Sequence, residues 1–363
     1  KSLGIYVNDV CNLTCLHCYY QKTVDCNSHG SMSAEDIIRI LKPIFAKNIL
    51  LFSFVGKEIF MPGPEGAEKT LYLMRFLSRV RESGRDLRLG AVTNGIYLDR
   101  FVSPLKEVGL DFLDISFDGH NAESHDSLRG KGSFRKSAAN LAKAIRDETA
   151  KRVFVASTLY KGNIHTIANI LEFHEHFGAS FFSLMPIIAV RDKSMAISFN
   201  ELRRFLSVDL PEKSASMAIK NPIEIILDLD SYVVDQHIEF FTSFFKESTV
   251  KIDILNNIIL TRDFGKVCII LRINLPDPYN SYGCITHDGL YFNKSGCLFM
   301  KDGYEAHALG GIKEISLTEL IERHEFSAAE AIGHFPHNLF AEVSDNCLNN
   351  MEGTTFYEMP KII

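Results

Sequence analysis

Along the first half of the chain the apolar positions alternate between two spacings. Short runs suit strands, and i, i+3, i+4 spacings suit helices. Ser2 to Val7 reads as an apolar strand. A helix is predicted from Ser33, which stands in capping-box spacing with Asp36; Ile37, Ile38, Leu41 and Phe45 share one face. Ile49 to Val55 reads as a second strand and Glu65 to Ser83 as a helix carrying Leu73, Met74, Leu77 and Val80. Strands follow at Leu87 to Val92, ended by Thr93-Asn94-Gly95, and at Asp111 to Phe117, ended by Asp118-Gly119. Helix Phe134 to Arg146, strand Arg152 to Thr158, helix Asn163 to Phe177, strand Ser180 to Pro186 and a helix near Phe199 to Val208 complete six strand–helix units. Such alternation predicts a parallel sheet with right-handed crossovers, that is, an α/β partial (β/α)6 barrel. In barrels of this kind the chemistry gathers at the C-terminal ends of the strands.

The pattern breaks after about residue 190. Residues 192–220 are polar and mixed, Pro222 to Leu229 reads as a strand, and Tyr232 to Phe245 as a strongly apolar helix. The stretch from Val250 to Asn274 is rich in β-branched residues, and a hairpin is predicted over Leu290 to Phe299, turning at Asn293-Lys294-Ser295-Gly296. The expected organisation is two domains, the partial barrel over 1–190 and a smaller α+β domain over 191–363.

Composition removes several function classes. The chain has 363 residues, is 46% hydrophobic and carries a net charge of −6, with no Lys/Arg run of the kind a nucleic-acid binder presents. No apolar stretch approaches the length of a membrane span, and the first residues read as a strand rather than a signal peptide. Eight cysteines stand at 11, 15, 18, 26, 268, 284, 297 and 347. A core-rich chain of this size has no need of disulfide staples, so the cluster of three reads as a metal site in a reducing compartment, the cytoplasm.

That cluster is Cys11-Asn-Leu-Thr-Cys15-Leu-His17-Cys18, a C-x3-C-x2-C run directly after the first strand. A structural zinc site ordinarily takes four ligands, often as two C-x2-C pairs. Three thiolates in one short loop fit a four-iron cluster better, and leave one iron open to a cofactor or substrate. With an aromatic-type residue, His17, before the last cysteine, the run resembles the C-x3-C-x-(aromatic)-C signature of the radical S-adenosylmethionine (SAM) superfamily. Further stretches carry the resemblance. Val55-Gly56-Lys57-Glu58-Ile59 is similar to that family's Gly-Gly-Glu-Pro segment, with Lys57 and Ile59 departing from it. Thr93-Asn94-Gly95 and Ile115-Ser116-Phe117-Asp118-Gly119 match its strand-end motifs. His125-Asp126-Ser127-Leu128-Arg129-Gly130-Lys131-Gly132-Ser133-Phe134 resembles a segment of its peptide- and protein-modifying subgroup, whose C-terminal domain is of the SPASM or twitch type.

The resemblance implies a 4Fe–4S cluster on Cys11, Cys15 and Cys18, and S-adenosylmethionine held by Tyr20, Gly56, Glu58, Asn94, Ser116, Asp118 and Arg129. Within that set it gives Glu58 the ammonium of the methionine moiety and Arg129 its carboxylate. It further implies a peptide or protein substrate, an electron donor such as flavodoxin or ferredoxin, and a C-terminal SPASM/twitch-like domain. Leu309-Gly310-Gly311-Ile312 and Ser316-Leu317-Thr318-Glu319-Leu320 resemble the tail of that domain. Two expected cluster ligands are nevertheless replaced, by Lys301 and Asn350. Either Cys268, Cys284, Cys297 and Cys347 gather round one auxiliary cluster, or the domain has kept its fold and lost its clusters; the replacements favour the second. The function implied is maturation of a ribosomally made peptide by a crosslink, a thioether or an epimerisation. Rival readings are a sulfatase-type formylglycine maturase, a radical dehydrogenase of a small molecule, and a non-catalytic iron–sulfur scaffold.

Overall fold

The computed structural model describes residues 2–18, 31–47, 49, 51–187, 192–217, 220–248, 251–252, 257–274, 281–292 and 308–324. Tyr20, Cys26, Lys301, Asn350, two of the four candidate auxiliary ligands (Cys297 and Cys347) and the expected turn at 293–296 lie outside them. The elements run β1 (Ser2–Tyr6), α1 (Ala34–Ile44), β2 (Leu51–Val55), α2 (Lys69–Glu82), β3 (Arg88–Thr93), α3 (Val102–Val108), β4 (Leu110–Ser116), α4 (Ala122–Arg129), α5 (Ser133–Arg146), β5 (Ala150–Leu159), α6 (Ile167–Glu175) and β6 (Phe181–Pro186). Beyond them come α7 (Phe199–Arg204), α8 (Leu210–Ser216), β7 (Ile223–Asp230), α9 (Ser231–Gln236), α10 (Ile238–Phe244), β8 (Lys251–Ile252), β9 (Ile258–Asp263) and β10 (Val267–Asn274). The last described elements are β11 (Ser281–Ile285), β12 (Leu290–Phe292), β13 (Gly310–Gly311) and α11 (Leu317–His324).

Thirteen strands among the described residues form one sheet, in the order β13-β12-β11-β1-β2-β3-β4-β5-β6-β7-β10-β9-β8. From β11 to β10 every neighbouring pair is parallel; only the outermost strands run antiparallel. The mostly parallel α/β fold is the one the alternating pattern predicts. Its extent differs. The series does not stop at six units, because β7 pairs parallel to β6 in the register Phe182↔Ile225. The boundary expected near residue 190 therefore divides one sheet, and strands from beyond it join both of its edges. Leaving β6 and β1 as edges would expose rows of unpaired backbone groups; β7 and β11 cover them. Among the described residues no helix is long and apolar enough to cross a membrane.

Alternation along the strands sorts the side chains into two faces. Leu3, Ile5, Phe52, Phe54, Leu89, Leu113, Ile115 and Val155 face the helices, and Ile37, Leu41, Leu73, Leu77, Leu141 and Ile170 of α1, α2, α5 and α6 pack on them in one buried cluster. Each such side chain contributes about 1.5–3 kcal/mol when fully buried. Helix α1 begins where the capping pattern places it: Ser33 Oγ accepts from Asp36 N at 3.1 Å. The aromatic segment Phe240–Phe245 is core, with Phe241 fully buried and Phe240 packed edge-on to Phe199.

The turn of the hairpin expected over 290–299 lies outside the described residues, and a hairpin that the sequence reading did not name precedes it. This earlier hairpin joins β11 to β12, and its turn is Thr286–Gly289, where Leu290 N donates to Thr286 Oγ1 at 3.0 Å and Gly289 takes φ +95. Asp288-Gly289 supplies the turn pair, since glycine alone adopts that conformation without strain.

Candidate active site

The loop that follows β1 carries Cys11, Cys15 and Cys18 across the C-terminal ends of the strands. Three groups of bonds fix it there. Leu16 N donates to Leu128 O at 2.8 Å, and the Cys15 thiol lies 3.8 Å from Arg129 O, tying the loop to the end of α4. Asn94 Nδ2, at the end of β3, donates to Asn12 Oδ1 at 2.9 Å and points at Cys11 Sγ at 3.8 Å. Cys18 packs against Tyr6, Cys284 and Phe292. The three thiols are free.

Two further clamps hold the strand ends. Glu58 is buried after β2, and its carboxylate accepts from Thr93 Oγ1 at 2.6 Å, Asn94 N at 2.7 Å and Phe60 N at 2.9 Å. Desolvation raises its pKa, and those three bonds and the Arg129 charge oppose the rise. The sequence reading gave Glu58 to the methionine ammonium; the structure gives both of its oxygens to protein donors, so that its first effect is to lock β2 to β3. Asp118, fully buried after β4, accepts from Arg129 Nε at 2.5 Å and from Thr158 N at 2.8 Å. Arg129, expected on the cofactor's carboxylate, is thus paired within the protein. Desolvation would raise the Asp118 pKa, but Arg129, His17 and the Thr158 bond outweigh it and hold it below the usual carboxylate range.

Asn94 does two things at once. Its Oδ1 accepts from Ile96 N at 3.0 Å and shapes the turn, while its Nδ2 holds the cysteine loop. Gly56 lets β2 pass close to Asn8: a Cβ there would lie 3.2 Å from Asn8 O. Ser116 closes β4 opposite Ala156. The structure brings Asn94 to Asn12 and Cys11, Glu58 to Thr93 and Asn94, and Asp118 to Arg129, Thr158 and, at 3.8 Å, His17; of the residues involved here, Asn8 and Thr158 stand outside every motif that the sequence reading singled out.

The residues present fit an iron–sulfur cluster with an adjoining cofactor. Among the described residues no three His, Cys, Asp or Glu side chains converge as the ligands of a single ion would. Three thiolates of a four-iron cluster each hold a separate iron and stand further apart. Burial pushes the Cys15 thiol up to about 11, against the lowering effect of Arg129, and a bound metal would take the place of its proton. Two buried polar atoms at the same mouth, Asn8 Oδ1 and His17 Nδ1, lack a partner among the described residues. Burial lowers the His17 pKa to about 4, so the ring is neutral. Such atoms call for a polar ligand.

Of the four candidate auxiliary ligands, the two among the described residues lie in different side-chain clusters. Cys284 on β11 lies in the cluster with Tyr6 and Phe292, whereas Cys268 on β10 lies in another, with Phe154, Ile226 and Ile270, next to Asp263 and Glu224. Nine strands separate β11 from β10 in the sheet order if both are counted.

Glu58→Ala is expected to lower unfolding stability by about 2–3 kcal/mol, because it strands two buried N–H donors and a hydroxyl. Chemical denaturation of the apoprotein reads this, and a loss below ~0.5 kcal/mol would contradict the clamp.

Known proteins share parts of this chain's sequence and of its fold. The sequence model of the Radical SAM superfamily matches residues 5–174. The chain is 31% identical over 171 residues to the Fe-coproporphyrin III synthase of Methanosarcina barkeri, covering 46% of this chain and 38% of that protein. It is 25% identical over 238 residues to a probable GTP 3',8-cyclase of Methanocaldococcus jannaschii, covering 65% and 73%. It is 28% identical over 178 residues to the subtilosin biosynthesis protein AlbA of Bacillus subtilis, covering 48% and 36%. The chain thus spans well under half the length of the first and third of these. Among solved structures, its fold resembles anSMEcpe with bound AdoMet, at a TM-score of 0.60 and 16% identity over 88% of this chain and 80% of that one. It also resembles Streptococcus suis SuiB bound to precursor peptide SuiA, at 0.51 and 15% over 71% and 58%. At those identities the likeness is one of fold. Residues 5–174 are therefore identified as a radical SAM domain.

Proposed function

We propose that this chain is a radical SAM enzyme that modifies a ribosomally made peptide by removing hydrogen from one of its carbons, forming a crosslink or thioether or inverting a centre. The observation that carries the peptide reading is the reach of the fold likeness. It covers 88% of the chain against anSMEcpe and 71% against peptide-bound SuiB, well past residue 174 and into the strands that flank the barrel. The similarity to AlbA, named for bacteriocin biosynthesis, points the same way.

Cys11, Cys15 and Cys18 would hold the cluster, and Asn8, His17, Gly56, Glu58, Asn94, Ser116, Asp118 and Arg129 surround the place beside it; Tyr20 is proposed with them from the motif alone. When bound, the reduced cluster and S-adenosylmethionine supply a 5′-deoxyadenosyl radical that takes hydrogen from the substrate. Asn94 and the end of α4 keep the thiols in place before iron arrives. The Asp118–Arg129 pair keeps a fixed charge pattern behind them without taking a proton. Neutral His17 offers an unpartnered ring nitrogen to the cofactor. The burial of these groups keeps water out of the site. The electron comes from outside the chain, from a partner of the flavodoxin or ferredoxin kind, and free thiols of this sort belong in the reducing cytoplasm.

Turnover of a small molecule is the second reading, favoured by the identity to the coproporphyrin synthase and the GTP cyclase. The test is to incubate the reconstituted enzyme with short precursor peptides encoded beside its gene, in H2O and in D2O. Loss of two hydrogens, or uptake of deuterium at one carbon, is expected. Unchanged peptides together with turnover of GTP or a porphyrin would replace the peptide reading by the second.

A further inference from the structure

We infer that Asp114, on the concave face of the sheet beneath the cysteine loop, docks a cationic group of the substrate, a primary amine or guanidinium. The inference rests on the reading that a peptide is processed over this face.

The face is fixed by register. Asp114 pairs across to Val92 on one side and Phe154 on the other, and alternates with Leu113 and Ile115, which are fully buried under the helices. Following the parallel registers Ser53↔Gly90 and Gly4↔Ser53, the same face carries Gly4 and Tyr6 of β1, and Gly4 pairs with Cys284. Cys18 packs on Tyr6 and Cys284, so the thiol loop overlies the face that bears Asp114. Deeper on that face lies an apolar floor of Phe112, Phe154, Phe181, Ile226 and Ile270. The Phe112 ring fills the place that a side chain at Gly90 would take. Asp114 stands where the floor ends and the mouth begins.

The sheet bends so that its far strands return to this point. Arg272 on β10 and Asp228 on β7 both act electrostatically on Asp114. In a flat sheet they would lie roughly 19 and 14 Å away, four and three strand spacings. Arg272 is already committed: its Nε and Nη2 bind Asp228 Oδ1 and Oδ2 at 2.5 and 2.8 Å, a two-point pair. The two charges cancel, so that Asp114, when ionised, is the net negative group there. Among the described residues it has no hydrogen bond and no ion pair. Asp111, three residues earlier, shows what a structural carboxylate in this strand looks like. It accepts from Leu89 N at 2.9 Å and pairs with Arg81 and Lys151.

A half-buried carboxylate without a partner is costly. Desolvation pushes the Asp114 carboxyl up to about 7, with Arg272 lowering and Asp228 raising it. A cation placed against it removes that cost, and an anionic group such as a triphosphate adds to it. The polar layer therefore selects the charge of what enters beneath the loop.

The experiment uses the reconstituted holoenzyme and two probes that differ only by the terminal ammonium, Nα-acetyl-lysine methylamide and Nα-acetyl-norleucine methylamide, with binding followed by calorimetry. The lysine probe is expected to bind at least about tenfold more tightly (1.4 kcal/mol). Asp114→Asn and, as a second variant of different size, Asp114→Ser are expected to remove that preference while norleucine binding stays within twofold. Equal binding of the two probes to the wild type, or a lysine preference that survives both substitutions, would overturn the inference. The probes need no turnover. A failure to find any modified peptide would sink the proposed function and leave this result standing, and the reverse also holds.

Discussion

Cys15→Ala is expected to abolish iron retention at the radical SAM site. Wild-type protein reconstituted without oxygen should hold about four irons there. Cys15 is the buried member of the triad, with its thiol 3.8 Å from Arg129 O, and the loop around it is pinned by the Leu16–Leu128 backbone bond. Alanine leaves that bond intact, so the variant should fold while losing one corner of the cluster. The triple replacement of Cys11, Cys15 and Cys18 extends the test to the rest of the chain. Cys268 and Cys284 lie in different side-chain clusters, and Lys301 and Asn350 stand where thiolates are expected. Near-zero residual iron and sulfide are therefore expected. About four residual irons in the triple variant would mean that the remaining cysteines hold an auxiliary cluster after all.

Asp118→Ala should produce the largest loss of stability of any single substitution at the site. It would leave the Arg129 guanidinium buried without its counter-charge, a change that costs about 3–5 kcal/mol in comparable pairs. It would also release the Thr158 bond that joins β4 to β5. Asp118→Asn keeps an acceptor for Thr158 and should lose less. The sign of the pH dependence follows from the lowered pKa of Asp118. Its contribution is present above about pH 4, the ordinary aspartate value, and is lost as pH falls through the depressed one. Urea denaturation at pH 7 measures the first effect, and an Asp118→Ala loss under about 1 kcal/mol would refute the clamp.

Much of this site could be read in the sequence because its parts are local. The cysteine spacing is set by one loop wrapping one cluster, and the strand-end motifs follow from the alternation of strands and helices. The partners that hold the loop are distant in sequence. Asn94 reaches Asn12, Asp118 reaches Thr158, and Leu16 reaches Leu128. No spacing rule links such pairs. For the same reason the protein partners of Glu58 and Arg129, Thr93 and Asp118 among them, were not legible, since a buried contact cannot be seen in a motif. Helix α4 escaped the periodicity reading because its eight residues bury only His125, Leu128 and Arg129 and present no apolar stripe. Helix α3, seven residues long, is too short to carry a helical period. The β11–β12 turn carries a local signal in Asp288-Gly289, a pair that the sequence reading passed over. The extension of the sheet through β7 was not legible, because whether a strand joins an existing edge depends on tertiary pairing.

The most direct test of the account is the formation of 5′-deoxyadenosine from S-adenosylmethionine by the reconstituted protein under a strong one-electron reductant. The account predicts 5′-deoxyadenosine and methionine in equal amounts from the wild type, none without reductant, and none from Cys15→Ala. Cleavage by Cys15→Ala at the wild-type rate, or no cleavage by wild-type protein that holds its iron, would contradict it.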